Sequence, residues 1–301
     1  MGLIKRRRWF QVISFVAINA YIPSWFRGEI YQGNFKGVCV PVLNCYSCPS
    51  ALGACPLGSM QNFFASARFN ISIAQYQLGL YVLGFLGVVG ALVGRMPCGW
   101  LCPFGFLQEL LYKIKTRKFP IPKFLTYGKY VFLVLFVVLL PLLVMDQFGF
   151  GHTWFCKWIC PAGTLEAGVG LAAINAEIRS QLGLLFTWKM GILVLFFLWM
   201  VVSKRPFCRT VCPLGAIFAL FNRVSLFRMV WYEDKCIKCN KCQKDCPVDI
   251  KAYEDPNSPE CIRCLKCIDS CQFGALDYQF IKKKFPLIGR QDTLYLNSEN
   301  R

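Results

Sequence analysis

Eighteen of the 301 residues are cysteines, and their spacing is the first chemical fact of the chain. Towards the C-terminal end, "CIKCNKCQKDCP" and "CIRCLKCIDSC" set Cys236, Cys239, Cys242, Cys246 and Cys261, Cys264, Cys267, Cys271 in two runs of C-x2-C-x2-C-x3-C. A short loop with three such thiolates can grip three corners of an iron–sulfur cube, and the fourth ligand comes from the other run. On that rule Cys236, Cys239, Cys242 and Cys271 hold one [4Fe–4S] cluster, and Cys261, Cys264, Cys267 and Cys246 hold a second. A zinc site and a disulfide knot are the competing readings. Zinc sites rarely show the doubled run, and disulfides belong to oxidising compartments. Gln272 follows the last cysteine where proline is usual, which removes a rigid exit but no ligand.

The other ten cysteines carry a repeat of their own. Cys-Pro-x-Gly-x-(Leu/Ile/Met) occurs four times, at Cys55, Cys102, Cys160 and Cys212. Proline suits the first turn of a helix, where its missing N–H costs nothing. The cysteine before it then sits at a helix N-terminus, where the dipole and free N–H groups favour a thiolate. The glycine leaves room for a cofactor or a neighbouring helix. Three of the four motifs are preceded by a second cysteine, giving the C-x3-C-P pairs Cys98–Cys102, Cys156–Cys160 and Cys208–Cys212.

The elements that must position these thiols are greasy and basic. The chain is 55% hydrophobic and carries a formal charge of +18. Residues 1–230 hold 22 Lys or Arg against five Asp or Glu, whereas 231–301 hold 12 against 11. Basic loops between apolar segments indicate a membrane protein rather than a nucleic-acid binder. Four segments are candidates to cross a bilayer: Trp9–Phe26, Ile71–Val93, Tyr127–Met145 and Leu184–Val202. A cleaved signal peptide is the competing reading of the first, but no small-residue cleavage site follows it. Gly90 and Gly94, at GxxxG spacing, read as close helix packing. Lys and Arg concentrate in 1–8, 95–126 and 203–230, so both termini are expected on the cytoplasmic side of a multi-pass cell-membrane protein.

The expected fold is therefore membrane α-helical. Four transmembrane helices form two tandem two-span repeats, and an α+β bacterial-type 2[4Fe–4S] ferredoxin domain follows. The boundaries are 1–115, 116–230 and 231–280, with a terminal segment 281–301. Parallel repeats of this kind are related by an axis along the membrane normal, which would bring like motifs together. Cys98, Cys102, Cys208 and Cys212 then form an inner-face site with the ligand count of one cubane. Cys156 and Cys160, with two of Cys45, Cys48 and Cys55, form an outer-face site, for which disulfides are the alternative. Cys39 is the first of the outer cysteines to set aside.

"CGWLCPFGFLQELLYKIK", "CRTVCPLGAIFALFNRVS" and the two tail runs resemble the polyferredoxin-like membrane proteins of the NapH, MauN, NosR and CcoG group. The resemblance covers roughly 70–280. It implies membrane-bound electron transfer, either quinol oxidation feeding a reductase or metal reduction during the assembly of an oxidase. The third pair, Cys156–Cys160, and the N-terminal "CVPVLNCYSCPSALGACP" depart from the commoner members, and point to redox centres on both sides.

The residues themselves favour an electron conduit, a subunit of an oxidoreductase complex, with membrane lipid, a redox partner subunit and a quinol as its counterparts. A metal-reducing assembly factor and a non-catalytic iron–sulfur sensor or scaffold are the alternatives. No haem motif, flavin site or dinucleotide loop is evident. His152 and Asp146 are candidates to accept protons from a quinol, with a backbone-satisfied interfacial histidine as the plainer reading. Trp154 and Trp158 fit an aromatic belt. Lys238, Lys241 and Lys244 read as a solvated face, with docking of an acidic redox partner as the alternative.

Overall fold

The computed structural model describes residues 3–67, 77–147 and 150–280. Among them two helices are long and apolar enough to cross a membrane, Lys123–Leu143 with 21 residues and Leu184–Val202 with 19. At 1.5 Å per residue they measure about 32 Å and about 29 Å, against a hydrocarbon core of about 30 Å. Their outward sides are apolar: Val131, Val134, Leu143, Leu184, Leu195 and Leu198 are all more than half exposed. The first of the two widens into a π-type stretch over Leu133–Leu139. Pro141 lies just beyond it, and a proline inside a helix withholds a donor and crowds the carbonyl four residues back.

This corrects the expected four spans in two tandem two-span repeats. The segment Trp9–Phe26 is apolar in sequence but not continuous in structure. Its helix, Leu3–Ile18, ends before a break at 19–22, and the one-turn helix Pro23–Arg27 follows. Sixteen residues of helix reach only about 24 Å, and they begin with the basic "KRRR". Arg7 and Gln11 of this helix are buried, both donating to the Gly99 carbonyl. The helix Gln77–Val93 has 17 residues, and the expected start of its span, 71–76, lies outside the described residues. Hydropathy counts apolar residues whether or not one helix carries them all. The segment 281–301 also lies outside the described residues.

Gly90 and Gly94 do serve close packing. A Cβ on Gly90 would stand 2.5 Å from the Phe221 ring, and Gly94 is left-handed (φ 58°) with Asn222 Oδ1 at 2.4 Å from its notional Cβ. Each Cys-Pro-x-Gly motif opens a helix: Pro56–Ala65, Pro103–Leu111, Pro161–Gly163 with its continuation to Ile174, and Pro213–Phe221.

The tail is α+β. Strand β1 (Phe227–Trp231) pairs antiparallel with β2 (Leu276–Phe280), Phe227 opposite Phe280 and Trp231 opposite Leu276. Between them lie the one-turn helices Lys241–Asp245 and Lys266–Ser270. Cys246, Val248, Ile262 and Cys264 of the tail share one hydrophobic core with Phe104, Val137, Phe196 and Phe218 of the helical body.

Ion pairs fasten the same junction. Glu109 meets Arg7, Arg205 (2.6 Å) and Lys266 (3.9 Å), the last from the tail. Burial disfavours its charge, but Arg205, Arg7 and Lys266 together hold the carboxyl down to about 2. A depressed carboxyl contributes its stability fully above its ordinary pKa and loses it as the pH falls through the depressed value. Glu109→Gln is expected to cost about 3 kcal/mol or more, because two buried guanidiniums lose their counter-charge. Unfolding curves in detergent check this. The gap between wild type and variant should be widest above pH 4.5, the ordinary carboxyl value, and close as the pH falls towards about 2.

Candidate metal centres

Two repeated motifs bring four thiols together where the body meets the tail. Cys98, Cys102, Cys208 and Cys212 are 5–7% exposed and lie within electrostatic reach of one another. Cys102 and Cys212 are the N-caps of Pro103–Leu111 and Pro213–Phe221. Their sulfurs accept from Gly105 N and Gly215 N, each at 3.4 Å. Cys98 and Cys208 stand on the preceding one-turn helices, Met96–Trp100 and Pro206–Thr210. This is the proximal group, next to the tail.

Two arginines exchange places across it. Arg95, three residues before Cys98, donates from Nη2 to the Cys208 carbonyl (3.1 Å). Arg205, three residues before Cys208, donates from Nη1 to the Cys98 carbonyl (2.7 Å). Each passes over the other motif's glycine: a Cβ on Gly105 would meet Arg205 at 3.1 Å, and one on Gly215 would meet Arg95 at 3.2 Å. The motif glycine is small to admit this arginine. Gln108 Nε2 adds a donor to Cys208 Sγ at 2.8 Å. The Nε–H groups of both arginines are buried and have no acceptor among the described residues.

The distal group uses the same plan with different residues. Cys45, Cys55, Cys156 and Cys160 line one cavity of about 390 Å³. Cys55 and Cys160 are helix N-caps, and Cys160 Sγ accepts from Gly163 N at 3.4 Å. Gln61 holds the opposite motif: its Nε2 donates to Cys156 Sγ (3.1 Å) and its Oε1 accepts from Phe155 N (3.0 Å). Glu166, in a π-type stretch at Thr164–Val169, accepts from Cys45 N at 2.6 Å. Burial raises the Glu166 carboxyl to about 7 and the Cys45, Cys55 and Cys160 thiols to about 12. Cys48 Sγ contacts Ser50 Oγ (3.6 Å) and Asn19 Oδ1 (3.7 Å) and stays within electrostatic reach of Cys45. Cys39 pairs with Ala54 in a backbone bridge and donates its N–H to the Tyr81 hydroxyl (3.2 Å).

In the tail, Cys246, Cys261, Cys264 and Cys267 neighbour one another, and Cys236 and Cys239 neighbour Cys242. Cys271 Sγ accepts from Ala275 N at 3.4 Å. Left-handed residues shape both loops. Lys238, Asn240 and Asp249 have φ of 53°, 58° and 56°, and Arg263, Leu265 and Gly274 repeat them at 48°, 60° and 61°. Alternation of this kind turns successive N–H groups towards an anion.

These surroundings fit a [4Fe–4S] cluster better than a single ion. The groups are rich in sulfur, and at the proximal site N–H donors from Gly105, Gly215 and Gln108 face the sulfurs, as an anionic cluster needs. Among the described residues no three or more His, Cys, Asp or Glu side chains converge closely enough for one metal ion, whereas zinc thiolates sit only about 2.3 Å from their ion. All eighteen cysteines are free thiols.

The two proton-acceptor candidates adjoin one antiparallel bridge, Met145 with Gly151. Asp146 Oδ1 accepts from Phe150 N (3.0 Å), and the His152 ring stands edge-on to Trp154 at 6.5 Å. Trp154 stacks on Trp158. Arg95, Arg205, Gln61, Gln108 and Glu166 escape a reading that looks only for ligands. A signal for them exists. Arginine stands three residues before Cys98 and Cys208, and Gln61, Gln108 and Glu166 each stand six after their Cys-Pro cysteine.

A family model described as a 4Fe-4S binding domain matches residues 77–122, 130–174 and 184–231, so each matched segment contains one C-x3-C-P pair. A second model with the same description matches 229–251. An uncharacterized protein of Methanocaldococcus jannaschii is 32% identical over 76% of this chain and 88% of its own length. A second from that organism is 32% identical over 65% of this chain and 69% of its own. The methylamine utilization ferredoxin-type protein MauN of Methylorubrum extorquens is 24% identical over 81% and 77%. No solved structure matches. The chain belongs to the family of ferredoxin-type 4Fe–4S binding proteins that these relatives represent, and its general role is iron–sulfur electron transfer.

Proposed function

We propose that the protein is a membrane-anchored electron-transfer subunit with sites for four [4Fe–4S] clusters, two in the tail and two in the helical body. The carrying observation is the seating of the second tail run on the proximal thiols. Glu260, beside Cys261, pairs with Arg95 (3.3 Å) and Lys129. Asn222 Nδ2 donates to the Cys261 carbonyl (2.7 Å), and Trp100 Nε1 donates to the Arg263 carbonyl (3.0 Å). A loop that carries three ligands is thus bonded into the next site.

The ligand sets follow the groups described above: Cys236, Cys239, Cys242 and Cys271; Cys246, Cys261, Cys264 and Cys267; Cys98, Cys102, Cys208 and Cys212; and Cys45, Cys55, Cys156 and Cys160. Each cluster, when bound, supplies a one-electron redox centre. The chain's own residues space and tune the sites. Gln108 and Gln61 donate to sulfur, and such bonds favour the more negative, reduced form. Arg95 and Arg205 place positive charge at the proximal site, whereas Glu166 accepts at the distal one. The cavity beside the distal thiols also has Lys157 and Lys189 in its wall, and would give a quinol or a partner's redox group a place to approach. The helices Lys123–Leu143 and Leu184–Val202 hold the body in lipid.

Anaerobically purified protein is expected to contain about 16 iron atoms with matching sulfide, four per cubane. A count near 8 would leave only the tail sites and overturn this reading. Cys102→Ser combined with Cys212→Ser should remove one cluster signal in EPR and leave the tail signals unchanged. Gln108→Leu should lower the midpoint potential of the proximal centre alone, and Gln61→Leu that of the distal centre alone, in EPR-monitored redox titrations.

A further inference from the structure

The two halves of the tail are one loop built twice, and among the described residues only one copy is covered. Cys261-Ile262-Arg263-Cys264 faces the body. Ile262 is fully buried, and its carbonyl lies 2.4 Å from where a Cβ on Gly99 would stand. Arg263 is 1% exposed and donates to the Asn222 carbonyl at 2.6 Å. Glu260 and Lys266 complete the seat through Arg95, Lys129 and Glu109.

Cys236-Ile237-Lys238-Cys239 has the same residue pattern and the same backbone. Lys238 and Asn240 match Arg263 and Leu265 in left-handed φ to within a few degrees (53° and 58° against 48° and 60°). The shape that fits the body is therefore presented a second time, and among the described residues nothing covers it. Ile237 is 62% exposed, and Cys239 is exposed where Cys264 is buried. A single exposed isoleucine is ordinary on a protein surface. An isoleucine whose twin is the buried centre of an interface is a different matter. The charges differ too: where the covered loop has Glu260, Arg263 and Lys266, the open loop has Lys235, Lys238 and Lys241, all exposed.

We propose that the open loop is a docking surface for an acidic redox protein, seated on Ile237 and ringed by Lys235, Lys238 and Lys241 as the body is seated on Ile262. The identification of the partner as a redox protein rests on the function proposed above. The charge pattern sets its chemistry. Carboxylates on the partner would meet the lysines, speeding encounter and making it salt-sensitive, while an apolar recess would take the isoleucine. The covered loop could not serve such a partner, because the body occupies it, and its Glu260 is paired with Arg95 and Lys129.

The test measures association of the full chain in detergent with a small acidic plant-type ferredoxin as the probe. Lys238→Glu combined with Lys241→Glu should weaken binding by roughly tenfold or more and blunt its salt dependence, through loss of several exposed pairs and gain of like-charge contacts. Ile237→Ser should weaken it at high salt as well. Lys115→Glu, an exposed charge on the body, should change nothing, and iron content should be the same in all variants. Failure of the probe to bind wild type, or equal weakening by Lys115→Glu, overturns the proposal. So does a result in which the lysine reversals release the protein from phosphatidylserine vesicles and leave probe binding intact, since the face would then be a lipid contact. Iron content separates the two readings: a count near 8 sinks the four-cluster reading and leaves this binding test intact.

Discussion

The exchange of Arg95 and Arg205 is the interaction on which the body depends. A guanidinium removed from water is costly unless several acceptors receive it. Here each finds a backbone carbonyl in the opposite motif and a carboxylate beyond it, Glu260 for Arg95 and Glu109 for Arg205. Neither motif can withdraw without stranding a buried charge. Apolar packing alone would allow the two halves to slide, because it has no direction. The crossed arginines give the contact a register, and that register is what places Cys98, Cys102, Cys208 and Cys212 in one group.

The second constraint is local and repeated. A cysteine before proline becomes an N-cap, and in three of the four copies its sulfur receives the N–H of the glycine three residues on. The chain then varies what surrounds this device. Position six after the cysteine reaches the facing motif as Gln61, Gln108 or Glu166, donating to sulfur in the first two cases and accepting from a cysteine N–H in the third. Hydrogen bonding and local charge set the potential of an iron–sulfur centre. Two sites built alike can therefore differ in function through one side chain each.

The tail is part of the same packing problem. Its second run shares a core with the helices, and the left-handed turns at Arg263 and Leu265 expose the carbonyls that Trp100 and Asn222 engage. Outside this junction, apolar side chains cover the two long helices and also Leu3–Ile18 and Gln77–Val93, among them Trp9, Ile13, Leu80 and Val88. Patches of this extent mark a surface made for something other than water.

By itself the sequence determined the features that act over a few residues. Doubled cysteine runs, the Pro-x-Gly endings, the helix starts after Pro103 and Pro213, and the apolar stretches Tyr127–Met145 and Leu184–Val202 are all legible, because helix capping and hydropathy are properties of neighbours along the chain. Tertiary structure alone decided what depends on partners far apart. It lined one cavity with Cys45, Cys55, Cys156 and Cys160, broke the first apolar segment at residues 19–22, and brought Arg95 to the Cys208 carbonyl, 113 positions away. A buried charge chooses its acceptor by the geometry of the whole fold, and no window of sequence contains that geometry.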